Sequence, residues 1–243
     1  MKKAIIYAQN NGINSMAFFK KAFEEGAAAV QCDIRRTLDG QFIALRDRTL
    51  SRLCGRDWVV SGTSWNHIRN LPVRTGEPIP HLDDILKYIV LHPASKFFLV
   101  AALNTAQDIA DLAHQVSKAG IQDKVCITVP SSRLSFISAA KKSVKNIGTA
   151  FYSSFPSGLL DKAMRSGADK ICVLPGSFPG GKTMLRIMSF ASSLADQAAE
   201  AAAEGIEVSI GTVNGPNTLR RILETGVKAF WTSDVQMAVK LMK

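Results

Sequence analysis

Acidic residues are in short supply: 20 Asp and Glu stand against 30 Lys and Arg, which leaves a net charge of +10. Cysteine is scarce as well, with four in the chain, at positions 32, 54, 126 and 172, and no C-x-x-C pair. That spacing argues against the common zinc motifs and against a disulfide framework. Cys32, Cys126 and Cys172 lie in apolar runs, where a thiol behaves as a small hydrophobe, and a reducing cytoplasm is the expected location. No apolar run reaches the roughly 18 residues that a membrane span needs, so no transmembrane segment is expected. Met1-Lys2-Lys3 is basic, but the apolar stretch behind it (Ala4–Ala8) is too short for the core of a signal peptide and reads as a first strand.

What is present is a chain of 243 residues, 47% apolar and 21% charged. That is enough to bury a sizeable core and excludes a disordered chain. The positive balance implies an anionic partner, although its sign alone does not choose between nucleic acid, a lipid surface and a phosphorylated small molecule.

Short β-type runs alternate with helical patterns along the chain. The sequence predicts strands at Ala4–Ala8, Ala29–Asp33, Phe97–Ala101, Val125–Val129, Ile147–Tyr152, Lys170–Leu174, Glu207–Thr212 and Ala229–Ser233. A helix is expected after each. The first, about Ser15–Glu25, takes Asn14 as its expected N-cap. An Arg36–Leu45 hairpin with Asp39-Gly40 at its turn follows the second strand, and residues 46–80 are expected to be irregular. Eight strands each followed by a helix, in a chain of this length, predict a single (β/α)8 TIM barrel spanning residues 1–243. A doubly wound open sheet is the alternative. In a barrel, chemistry belongs to the loops after the C-terminal ends of the strands.

At those loops the chain resembles the glycerophosphodiester phosphodiesterase family. Thr37-Leu38-Asp39-Gly40 matches its T-x-D-G hairpin, and Asp47-Arg48-Thr49-Leu50-Ser51-Arg52 resembles its D-D-T-L-D-R. Ile79-Pro80-His81-Leu82-Asp83-Asp84-Ile85-Leu86 resembles the family's I-P-T-L-E-E-V-L helix start. Thr212-Val213-Asn214 matches the end of W-T-V-N, and Gly226–Asp234 resembles the G-V-D-G-I-I-T-D ending. The resemblance implies a TIM barrel that hydrolyses glycerophosphodiesters with a divalent metal and two histidines.

The residues that the resemblance makes catalytic do not follow. Ala8-Gln9 occupies the place of the first His-Arg pair, and Arg46 stands where the second histidine is expected. Arginine stays protonated, so it binds phosphate but cannot act as a base. The E-x-D metal pair appears as Gln31-Cys32-Asp33, and Ala102 and Asn104 take the places of the Glu and Lys of the E-I-K motif. Only Asp33 then remains of three metal carboxylates, and a hard cation needs several such ligands. Loss of two proton-transfer groups removes two factors of roughly 10²–10⁴. The reading is a non-catalytic member that binds a phosphate-bearing small molecule or an acidic partner through Gln9, Arg35, Arg46, Asp47 and Lys182. No cofactor is expected, with Mg²⁺ or Ca²⁺ only if the metal site persists. An active phosphodiesterase with a rebuilt site, in which Asp47 or a loop group replaces the histidines, is the alternative.

Two further signals remain. Gly176–Thr183 satisfies the G-x-x-x-x-G-K-T phosphate-loop pattern after a strand, which opens a nucleotide-binding alternative, a simple phosphate cradle or a plain glycine turn. Between Ile34 and Thr75 there are eight Arg (35, 36, 46, 48, 52, 56, 69 and 74) against Asp39, Asp47 and Asp57, a local balance of +5. Arg throughout favours bidentate anion contacts, with a solvated basic face as the plainer reading. No recognised nucleic-acid motif accompanies the patch, so nucleic acid is not the expected partner. The oligomeric state stays open.

Overall fold

The computed structural model describes residues 4–10, 12–154, 158–174, 193–224 and 226–242. In chain order, strand β1 (Ile5–Ala8) is followed by helix α1 (Met16–Glu24), β2 (Ala29–Arg36) and β3 (Phe42–Ala44). Then come β4 (Thr49–Leu50), α2 (Ser51–Cys54), β5 (Arg56–Val59) and α3 (Trp65–Ile68). Helix α4 (Leu82–Leu91) leads to β6 (Lys96–Ala101) and α5 (Ala106–Lys118), then β7 (Val125–Pro130) and α6 (Ser135–Ser143). The chain continues through β8 (Gly148–Ser153), α7 (Leu159–Ser166), β9 (Lys170–Val173) and α8 (Ser193–Ala203). It ends with β10 (Glu207–Ile210), α9 (Pro216–Glu224), β11 (Ala229–Thr232) and α10 (Val235–Met242).

Eight strands pair in parallel in the order β1-β2-β6-β7-β8-β9-β10-β11, and β11 returns to β1 to close the barrel. The helices lie outside it. Helix α5 shows why one of them forms. Ile109, Leu112, Ala113 and Val116 recur at helical spacing and are buried, and Thr105 with Asp108 makes a capping box at its start. Replacing Leu112 by Ala would cost about 3 kcal/mol through the cavity left behind.

Strand β2 separates two layers by its period of two. Val30, Cys32 and Ile34 face the helices and join the main core, whereas Ala29 lies in a second cluster inside the barrel. That inner cluster is built on Tyr7, Phe98 and Trp231, whose rings lie 4.8–5.0 Å apart. The Tyr7 hydroxyl donates to Glu207 at 2.5 Å, and Lys170 pairs with Glu207 at 2.7 Å. A Cβ on Gly211 would overlap Cβ of Trp231, so only glycine lets the chain leave β10 over that ring. These side chains plug the barrel beneath its C-terminal mouth.

The structure corrects two expectations. Asn14 is not the cap of α1; the Ser15 hydroxyl accepts from the Phe18 N–H at 3.1 Å and takes that place. Residues 46–80 are not irregular throughout. They hold the antiparallel β4–β5 pair and two short helices over their own apolar cluster, which includes Leu50, Leu53, Val60, Ile68 and Ile79. The hairpin turn is as expected from Asp39-Gly40, and the Asp39 carboxylate also accepts from the Trp65 N–H at 2.9 Å, tying the hairpin to this subdomain. Among the described residues no helix is long and apolar enough to cross a membrane.

Candidate functional site

The ends of the strands enclose a cavity of about 500 Å³ at the mouth of the barrel. Strand alternation decides which residues line it. The inward positions Gln31, Asp33 and Arg35 of β2 form one wall, and Phe98, Val100 and Ala102 form the next. Gln9, Asn10 and Arg46 close one side, and Thr128, Tyr152, Thr212 and Asn214 close the other. Trp231, Phe98 and Cys172 reach it from the plug below.

The same alternation corrects the expected place of the first histidine. Ala8 is fully buried in the layer between sheet and helices, so it faces away from the mouth. Gln9 and Asn10 are the mouth-facing residues at the end of β1. Neither side chain transfers a proton at neutral pH. Gln9 accepts a hydrogen bond from the Thr212 hydroxyl. On β6, Val100 pairs in register with Asp33 and also lines the cavity, so two inward positions, Val100 and Ala102, stand near the expected third carboxylate. Neither has a ligating atom.

Asp33 is buried, and each of its carboxylate oxygens accepts a hydrogen bond. Its Oδ1 accepts from Gln31 Nε2 at 3.0 Å, and its Oδ2 accepts from Asn14 Nδ2 at 3.2 Å. Asn14 Oδ1 accepts from the Asp33 N–H at 2.8 Å and from Asn10 Nδ2 at 2.6 Å, and Asn10 Oδ1 accepts from the Gly12 N–H at 3.1 Å. Buried polar groups need such partners, and this network supplies them. Asn10 and Asn14 did not stand out as site residues in the sequence. Their signal is the Asn-Asn-Gly-Ile-Asn run directly after a barrel strand.

The divalent metal that the resemblance implies does not fit these residues. Both oxygens of the one remaining carboxylate point at amide N–H groups, and among the described residues no three His, Cys, Asp or Glu side chains gather in a metal-binding group. None of the four histidines lines the cavity: His81 caps α4, His92 stacks on Tyr88 at 4.1 Å, His67 bonds Ser64, and His114 is exposed on α5.

The cations are arranged differently. Arg35 donates through Nε and Nη2 to the Arg46 carbonyl, at 2.9 and 2.7 Å, and so fixes the chain that carries Arg46. Burial pulls the Arg35 guanidinium below its ordinary value, against the raising charges of Asp33 and Asp47, and Arg48 lowers it further. It remains charged at any ordinary pH. The Arg46 side chain is exposed and makes no hydrogen bond or ion pair among the described residues. Burial and the Asp33 charge push the Tyr152 hydroxyl up, so it stays a neutral donor, and burial pushes the Cys172 thiol up to about 11. Asp47 is not in the cavity wall. It pairs with Arg52 at 2.6 Å, and Arg52 reaches on to the Gly12 carbonyl at 2.6 Å. Lys182 and Gly176–Thr183 lie outside the described residues.

A closed parallel (β/α)8 barrel with its cavity at the C-terminal mouth defines the TIM-barrel class. Within that class, residues 7–237 match the model of the glycerophosphoryl diester phosphodiesterase family, and the chain belongs to that family. Over 74 residues it is 34% identical to a probable glycerophosphodiester phosphodiesterase 2 of Mycobacterium tuberculosis, covering 30% of this chain and 28% of that protein. It is 26% identical over 84 residues to an uncharacterized protein, YqiK, of Bacillus subtilis, covering 32% of this chain and 35% of that one. The chain therefore matches about a third or less of the length of these relatives. Among solved structures, one from Silicibacter pomeroyi called a putative glycerophosphoryl diester phosphodiesterase superposes with a TM-score of 0.81 at 15% identity, covering 99% of this chain and 93% of that one. An Oleispira antarctica phosphodiesterase in complex with the product sn-glycerol-3-phosphate superposes with a TM-score of 0.77 at 15% identity, covering 98% of this chain and 96% of that one. At such identities the superpositions speak to the fold.

Proposed function

We propose that this chain is a non-hydrolysing member of its family that binds a phosphate-bearing small molecule at the barrel mouth without a metal ion. The carrying observation is the Gln31–Asp33 amide–carboxylate bond, which engages the one carboxylate left for a cation. Arg46 supplies the positive charge, and Gln9 and Tyr152 are neutral partners on the cavity wall. A phosphate anion then meets fixed donors and a guanidinium, the arrangement that suits bidentate oxyanion binding. The product carried by the Oleispira neighbour, sn-glycerol-3-phosphate, makes this the first ligand to try. The rebuilt-site alternative finds no support in Asp47, whose carboxylate is paired with Arg52 away from the cavity. A cytoplasmic location remains part of the reading, supported by the cysteine usage.

The test is phosphorus NMR of glycerophosphocholine incubated with the protein and Mg²⁺, Ca²⁺ or Mn²⁺. No conversion to glycerol 3-phosphate is expected. Turnover that Asp33→Ala abolishes would overturn the proposal.

A further inference from the structure

The mouth cavity has a neighbour. A second cavity of about 340 Å³ lies between the end of β2, the loop from β6 to α5 and the turn after β5. Arg35 and Ala102 line both cavities. At Ala102 only a methyl group stands on the shared wall.

The charges in the second cavity are unevenly matched. Arg36 is neutralised by Asp108 at 2.5 Å and Asp111 at 2.9 Å. Arg48 is exposed, and its side chain makes no hydrogen bond or ion pair among the described residues. It lies close enough to Arg35 to lower that guanidinium's pKa. Asp33 and Asp47 act on Arg35 more strongly than Arg48 does, but Arg48 itself has no acidic partner among the described residues, and an anion seated between the two guanidiniums meets both. Ser61 and Asn104 line the same cavity. Arg46 faces only the first cavity and Arg48 only the second. One phosphate can satisfy one of these cations.

Building on the phosphate-binding reading, we propose that the ligand is a glycerophosphodiester whose headgroup carries a second anionic group. The diester sits in the mouth cavity beside Arg46. The headgroup anion sits between Arg48 and Arg35, with Ser61 and Asn104 as short polar neighbours.

Calorimetric titration of the full chain with three diesters tests this: glycerophosphocholine, glycerophosphoinositol and glycerophosphoinositol 4-phosphate. The 4-phosphate is expected to bind about tenfold tighter than glycerophosphoinositol, whose headgroup is neutral, the factor a single charge-assisted contact provides. Arg48→Gln should erase that ratio. Arg69→Gln, an exposed arginine outside both cavities, should keep the ratio. Equal affinity of the wild-type chain for all three diesters overturns this inference alone. So does a ratio that survives Arg48→Gln or falls equally in Arg69→Gln. Failure of the wild-type chain to bind any of them overturns the phosphate reading and this inference with it.

Discussion

Gln31 donates its side-chain N–H to the Asp33 carboxylate across 3.0 Å, from the neighbouring inward position of the same strand. A carboxylate at position 31 would repel Asp33, whereas the amide makes a hydrogen bond to it. A carboxylate pair at this depth needs a cation, whereas an amide–carboxylate pair is complete without one.

Gln31→Glu reverses that trade. It removes the N–H donor and sets a second charge beside buried Asp33. The unfolding free energy at pH 7.5 is expected to fall by about 2 kcal/mol, and the loss should shrink toward pH 5 as one carboxyl of the pair protonates. Urea denaturation at the two values measures this. Added Mg²⁺ should raise the midpoint of the variant and leave the wild type unmoved.

Arg46→Gln separates binding from folding. The side chain is exposed and without a hydrogen bond or ion pair among the described residues, so stability should move by less than about 0.5 kcal/mol. The dissociation constant for sn-glycerol 3-phosphate should rise about tenfold or more, since one charge-assisted contact is lost. Unchanged affinity would place the anion elsewhere.

Asn14 and Ser15 are adjacent but do different work. Ser15→Ala deletes an ordinary helix cap and should cost about 1 kcal/mol. Asn14→Ala strands the buried Asp33 N–H and one N–H of the Asn10 amide, whose nitrogen still donates to the Gln31 carbonyl, and should cost about 3 kcal/mol. Equal costs in denaturant titrations would mean that the Asn10–Asn14–Asp33 network is not formed as described.

Asp108 ties α5 to β2. Burial alone would raise its pKa, but the hydrogen bonds from Arg36, Thr105 and Asn104 outweigh that and hold it below its ordinary value. A depressed carboxylate adds stability above its unfolded pKa and loses it as pH falls through the folded value. Asp108→Asn should therefore be less stable than the wild type at pH 7. The gap should close progressively below pH 3.8, its ordinary value. A gap that stays constant down to pH 2.5 would mean that its charge contributes nothing.

Sequence carries the barrel well because the signal is periodic. In β2 the odd positions 29, 31, 33 and 35 face inward and the even ones outward, so Gln31, Asp33 and Arg35 read directly as one wall. A one-residue shift in such a pattern turns a side chain to the other face, which is why Ala8 and Gln9 exchange roles at the end of β1. Residues 46–80 defeat the same method, since β4 and α2 have two and four residues, too few to show a period. Asn10, Tyr152 and Trp231 meet in the mouth from distant parts of the chain, and only closure of β11 onto β1 brings them together. The pairing of Asp47 with Arg52 is likewise a matter of side-chain direction, which spacing does not reveal.

The most direct measurement is the affinity for sn-glycerol 3-phosphate, by calorimetry, once in EDTA and once in excess Mg²⁺. A metal-free site built on Arg46 and the Gln31–Asp33 pair gives the same dissociation constant in both. Binding that disappears in EDTA and returns with Mg²⁺ would contradict it.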